Sequence, residues 1–129
     1  MRKITAIVVH CSDSPDHLDF SADDIHQWHL ARGWSGIGYH YVIRRDGSIE
    51  NGRPDFWVGS HVSGRNHDTI GICLIGRKAF TDAQFTTLRS LVDSLVKKYP
   101  DSSVLGHCDL TKKKTCPNFN VKNWWSLTS

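Results

Sequence analysis

ITAIVVHC, residues 4–11, carries apolar side chains on both of its alternating faces. Period two sets Ile4, Ala6 and Val8 on one side and Ile7 and Val9 on the other. A strand of this kind is buried on both faces, so a central sheet with helices packed against it is expected. The run ends on His10 and Cys11 and breaks into the polar turn Ser12, Asp13, Ser14, Pro15. The same alternation sends His10 and Cys11 to opposite faces, so the two are not expected to serve one site. A histidine at the carboxyl end of a core strand stands where open-sheet proteins place their chemistry.

Working outward, TIGICLIG at 69–76 repeats the all-apolar pattern and reads as a second buried strand. DSPDHLDF is a turn-rich loop. A helix is expected from Ser21 to about Arg32: Ser21 caps it, Asp23 and Asp24 favour its first turn, and Phe20 can pack on Ile25. Gly33 stops it and opens the GWSGIG turn. YHYVI and SIENG flank RRDG, whose Asp46-Gly47 pair predicts a hairpin. Residues 52–69 form a long polar stretch, and irregular stretches of that length tend to be functional. Thr81 and Gln84 make a capping box before Phe85, Leu88, Val92, Leu95, Val96 and Tyr99 at helical spacing, and Pro100 ends that helix. SSVLGH is a short strand, CDLTKKKTCPNFN a loop, and VKNWWSL a short terminal helix. The alternation of strands and helices gives an α/β class, a single domain over 1–129 with a central mixed β-sheet flanked by helices.

The chain has 129 residues, enough for one domain with one core. A net charge of +3, from 16 basic and 13 acidic residues, makes no case for nucleic acid, and none is expected as a partner. That charge is compatible with an anionic polymer such as a cell wall. The apolar part of the start is about six residues, shorter than the roughly 7–15 of a signal peptide core, and it leads into His10 and Cys11 instead of a small-residue cleavage site. No run approaches the roughly 20 apolar residues of a membrane span. The expectation is therefore cytoplasmic synthesis with no signal peptide and no stable membrane insertion, so that action outside the membrane needs a separate route of release. Cysteines 11, 73, 108 and 116 are expected to be free, most of them buried, with a metal ligand among them.

Eight histidines offer candidates. There is no HExxH, no phosphate loop, no dinucleotide fingerprint and no glycine-flanked nucleophilic serine. His26 and His29 on the first helix read either as a metal pair or as two residues flanking Trp28 at the helix surface. His10 and His107 each follow a strand-like run and precede a polar loop, and Cys116 lies in the loop after His107. Together they can form a His2Cys set that leaves one tetrahedral position for water, the layout of a catalytic zinc. The competing reading is two histidines at the core edge and a buried thiol.

Longer stretches carry a resemblance. VVHCS at 8–12, IHQWHLARGWSGIGYHYVIRRDGSIENGRP at 25–54, VGSHVSGRNHDTIGICLIG at 58–76, FTDAQFTTLRSL at 80–91, LGHCDLTKKKTCPNF at 105–119 and the tail tryptophans occur in that order. In these the sequence resembles the zinc-dependent N-acetylmuramoyl-L-alanine amidases of the bacteriophage lysozyme type, a family that extends to the peptidoglycan recognition proteins. The resemblance implies Zn2+ on His10, His107 and Cys116, with Cys11 and Cys108 outside the ligand set. It implies catalytic roles for Tyr39 and Lys114. Because Lys112, Lys113 and Lys114 are consecutive, a slip of the alignment would change which of them reaches the metal. It implies that His61, Asn66 and His67 line the substrate cleft; Trp34 belongs either there or in the core.

The implied reaction is hydrolysis of the amide between N-acetylmuramic acid and L-alanine in bacterial peptidoglycan by a monomer that acts on the cell wall after release. Two other roles occur in the wider family. Non-catalytic peptidoglycan-binding modules have lost a ligand, whereas Cys116 is present here. Members that regulate a phage RNA polymerase by contact have an N-terminal extension, whereas this sequence starts three residues before its first strand.

Overall fold

The computed structural model describes residues 2–128; Met1 and Ser129, the two ends of the expected 1–129 domain, lie outside the described residues. Along the chain come β1 (Ala6–Cys11), α1 (Ala22–Ala31), β2 (Tyr41–Ile43), β3 (Ile49–Asn51), β4 (Thr69–Leu74), α2 (Asp82–Lys98), β5 (Ser103–Gly106) and α3 (Val121–Thr128). Short 3-10 turns at Asn66–Asp68 and His107–Asp109 lead into β4 and out of β5. The strands form one sheet in the order β3-β2-β4-β1-β5. β1 runs parallel to β4 and β5, β2 runs parallel to β4, and β3 is antiparallel to β2. The expected mixed sheet is thus present, with the two all-apolar strands β4 and β1 adjacent at its centre.

Both faces of the sheet are covered, which is why both alternating faces of those strands are apolar apart from Thr69 at the start of β4 and His10 at the end of β1. One face joins Ile7, Val9, Ile70, Ile72 and Leu74 to Leu88, Val92 and Leu95 of α2 and Val121 of α3. The other joins Val42 and Cys73 to Ile25 of α1, and Ala6 and Val8 to Val62 of the long loop. Ile4 departs from the expected alternation: it packs with Ile7 and Val9 and not with Ala6 and Val8. Regular pairing begins only at Ala6, so period two does not extend back to it. Likewise β4 stops at Leu74 and not at 76, and β5 stops at Gly106, where His107 opens a 3-10 turn. Among the described residues, no helix is long and apolar enough to cross a membrane.

The helix caps do more than end helices. Ser21 and Asp24 form a reciprocal capping box on α1, as Thr81 and Gln84 do on α2. Gln84 is also fully buried. Its Nε2 donates to the carbonyls of Ile43 (3.2 Å) and Ile75 (2.8 Å), while its Oε1 accepts from the Thr81 backbone N–H (3.0 Å) and Arg45 Nη1 (3.1 Å). One side chain thereby docks α2 onto the carboxyl ends of β2 and β4. Gln84→Met keeps the volume and deletes all four bonds, leaving the Thr81 N–H at the helix start without its partner. Urea unfolding should show a loss of about 2 kcal/mol with an unchanged m value.

Candidate metal centre and active-site cleft

The parallel pairing of β1 with β5 brings their carboxyl ends to the same edge of the sheet. His10 is the penultimate residue of β1, and His107 is the first residue after β5. The loop after His107 then folds back: the Cys108 N–H donates to the Cys116 carbonyl at 2.9 Å, and the Cys11 N–H donates to Cys116 Sγ at 2.8 Å. One donor atom from each of His10, His107 and Cys116 lies within 4.8 Å of the others. The Nδ1 atoms of the two histidines are 3.1 Å apart.

The donor chemistry fits a borderline-soft divalent cation. Burial, with His61 and His107 as neighbours, drives the pKa of His10 well below its ordinary value. Burial and then the Lys114 charge lower that of His107. Both imidazoles are therefore neutral and offer lone pairs. The Cys116 thiol is pushed up by the Cys11 thiol beside it and by burial, so a cation binding there has a proton to displace. Two imidazoles and a thiolate are a donor set suited to such a cation. Cys108 stays outside it, in the 3-10 turn. Cys11 is outside the ligand set too, yet the expectation that it would have no part in the site needs correction. Its thiol lies beside that of Cys116, and its backbone N–H donates to Cys116 Sγ, so both side chain and backbone touch the ligand cysteine.

A cleft of about 530 Å³ opens beside the cluster, lined by His10, His107, Tyr39, His61, Asn66 and Lys114 among others. The Tyr39 ring lies 5.1 Å from that of His10 and 5.7 Å from that of His29. Burial, and then the thiols of Cys73, Cys116 and Cys11, raise its pKa well above the ordinary tyrosine value, so the hydroxyl keeps its proton. Of the three consecutive lysines, Lys114 lines this cleft, Lys113 lines only the adjoining hollow of about 350 Å³ around Cys116, and Lys112 lines neither.

Trp34 is on the cleft wall and not in the core. It is 38% exposed, 4.4 Å from the His29 ring, with the Arg32 guanidinium 5.7 Å from its centroid. Asn66 lines the cleft while its Oδ1 accepts from the backbone N–H groups of His61 and Val62, both at 2.8 Å, so it also ties the loop into shape. His67 is not brought to the cleft. Its side chain is 70% exposed on the Asn66–Asp68 turn, 3.8 Å from Asp68. Adjacent residues on a tight turn diverge, which is why sharing a motif with Asn66 did not give it a shared surface.

His26 and His29 are neither a metal pair nor simply a flank of the helix surface. Their Nδ1 atoms accept from the backbone N–H groups of Ile37 and Gly38, each at 3.0 Å, and so hold the segment that presents Tyr39. His29 and Arg32 line the cleft. The sequence signal was present in their spacing from Ile25 on α1, but it carried no sign of what they face.

Buried neutral histidines have a cost in acid. Burial, chiefly, brings His29 to about 4 and His61 to about 3. The unfolded chain takes up protons on both as pH falls through about 6.5. The folded chain does not until near those lower values, so stability is full above about 6.5 and declines as pH falls toward 4. The metal-free protein should unfold at lower urea concentration at pH 5 than at pH 7.

Residues 1–119 match the family model described as N-acetylmuramoyl-L-alanine amidase. The endolysin of Enterobacteria phage T3 is 43% identical over 128 residues, covering 93% of this chain and 84% of that protein. Among solved structures, the N-acetylmuramoyl-L-alanine amidase LysC from Clostridium intestinale superposes with a TM-score of 0.88 at 33% identity, covering 98% of this chain and 86% of that one. Drosophila PGRP-LB superposes with a TM-score of 0.81 at 26% identity, covering 100% and 82%.

Proposed function

This chain belongs to the N-acetylmuramoyl-L-alanine amidase family, and from that premise we propose that His10, His107 and Cys116 hold one zinc ion at the centre of its active site. The protein is a hydrolase of bacterial peptidoglycan and cuts the amide between N-acetylmuramic acid and L-alanine. The convergence of three neutral-imidazole and thiol donors from two strand ends and a loop is the observation that supports the zinc reading. Bound there, zinc supplies the Lewis acidity that polarises a carbonyl and makes water nucleophilic at neutral pH.

The side chains supply the rest. Lys114, at the cleft beside His107, sets a positive charge against the oxygen on which negative charge develops. Tyr39, which keeps its proton, donates a hydrogen bond to the reacting centre and serves proton transfer. Trp34 and Arg32 form a wall against which the substrate is oriented, and Asn66 holds the opposite loop. Retention of Cys116 supports catalysis over a binding-only role. On the same reading the chain acts as a monomer, is made in the cytoplasm and reaches the wall after release. Sedimentation tests the first of these, and a direct binding assay against a phage RNA polymerase tests the regulatory alternative separately.

Digestion of purified peptidoglycan, followed by mass analysis, tests the reading. Free stem peptides with an L-alanine amino terminus and intact sugar chains are expected. Chelation should stop their release and added zinc should restore it. New reducing sugar ends, or cleavage indifferent to chelator, would count against it.

A further inference from the structure

His61 does more than line the cleft. Its Nδ1 is 2.8 Å from His10 Nε2, and its Nε2 is 3.0 Å from Thr69 Oγ1. The Thr69 hydroxyl in turn lies 2.7 Å from the Arg65 carbonyl. A carbonyl can only accept and a hydroxyl has one proton, so the direction of the whole chain follows. Thr69 O–H donates to the Arg65 carbonyl. Thr69 Oγ1 then accepts from His61 Nε2–H. His61 Nδ1 is left as a lone pair and accepts from His10 Nε2–H. His10 Nδ1 is therefore unprotonated, and that is the atom facing His107 Nδ1 in the three-donor cluster. Reversing the chain would set the Thr69 and Arg65 oxygens against each other as two acceptors at 2.7 Å.

The relay is built, not incidental. The His61 ring stands edge-on to His10, with centroids 4.9 Å apart at 82°. It fills a slot between two glycines: a Cβ on Gly59 would fall 2.7 Å from its Cδ2, and a Cβ on Gly71 would fall 2.7 Å from its Cγ. Thr69 is fully buried. We propose that His61 is a positioning residue which, anchored by Thr69 and the Arg65 carbonyl, fixes the tautomer and orientation of His10 so that Nδ1 is presented to the metal. This rests on the zinc reading above. It adds a protein-supplied hydrogen-bond acceptor behind the buried ligand, of the kind that commonly tunes metal affinity.

The test has two parts. In the metal-free protein, nitrogen-15 NMR should find His10 protonated on Nε2 and bare on Nδ1. Zinc affinity, measured by competition with a chromophoric chelator, should fall about 10–100-fold in His61→Phe. Thr69→Val, of similar shape but without the hydroxyl, should weaken it in the same direction, with circular dichroism checking that the variant stays folded. His10 carrying its proton on Nδ1, or unchanged zinc affinity in both variants, would overturn the relay while leaving the ligand set standing. A parent protein that takes up no zinc would overturn the zinc reading, and the relay with it.

Discussion

Cys116→Ser loses stoichiometric zinc and lowers peptidoglycan hydrolysis by about 1,000-fold or more. Serine is nearly isosteric and can still accept the Cys11 N–H that now reaches Sγ at 2.8 Å, so the loop keeps its anchor. What disappears is the only thiolate in a set otherwise made of two neutral imidazoles. A neutral hydroxyl neither offsets the charge of a divalent cation nor matches its softness. The Lewis acid is worth several kcal/mol in the transition state, which converts to the stated factor. Metal analysis, circular dichroism and turnover on the same preparation check the three parts together. Full zinc content in a folded Cys116→Ser protein would remove Cys116 from the site.

The second large effect separates chemistry from metal binding. Tyr39→Phe and Lys114→Met should each lose roughly 100-fold or more in turnover, the scale of one positioned acid–base group or oxyanion donor. Phenylalanine keeps the ring contacts with His10 and His29 and removes only the hydroxyl. Methionine keeps most of the lysine stem and removes its charge. Zinc content should stay near one per chain in both, because neither residue is in the donor cluster. Lys113→Met, outside the main cleft, should cost far less. Loss of activity on Lys113→Met with a normal Lys114→Met enzyme would shift the catalytic lysine by one residue.

Much of this was legible in the chain because local chemistry and tertiary context agree. ITAIVVHC and TIGICLIG announce strands buried on both faces, and they sit at the centre of the sheet. Thr81 with Gln84 announces a helix start, and the box is formed. The His10–His107–Cys116 set was harder. Three ligands from separate segments leave no local spacing, and the residues alone left a core-edge reading open until the parallel neighbours β1 and β5 joined them.

What stayed hidden depends on directions that sequence does not encode. Alternation placed the Cys11 side chain away from His10 but was silent on the reach of its thiol and its backbone N–H to Cys116. Neighbours in one motif, Asn66 and His67, part company on a 3-10 turn. The roles of His26 and His29 depend on which backbone amides the GWSGIG turn brings back to α1. Nor does any spacing in HVSGRNHDT reveal that His61 meets His10 from β1 while Thr69, eight residues on, takes its other nitrogen.

Zinc-edge X-ray absorption on the purified, zinc-loaded protein tests the central claim most directly, because it reads the ligand atoms themselves. Zinc on the three proposed donors would give one sulfur at about 2.3 Å and nitrogen ligands at about 2.0–2.1 Å. Any zinc that Cys116→Ser retains should show no sulfur shell, whereas Cys108→Ser should keep it. A zinc shell made only of nitrogen and oxygen, or a sulfur shell that survives loss of Cys116, would contradict a centre built from His10, His107 and Cys116.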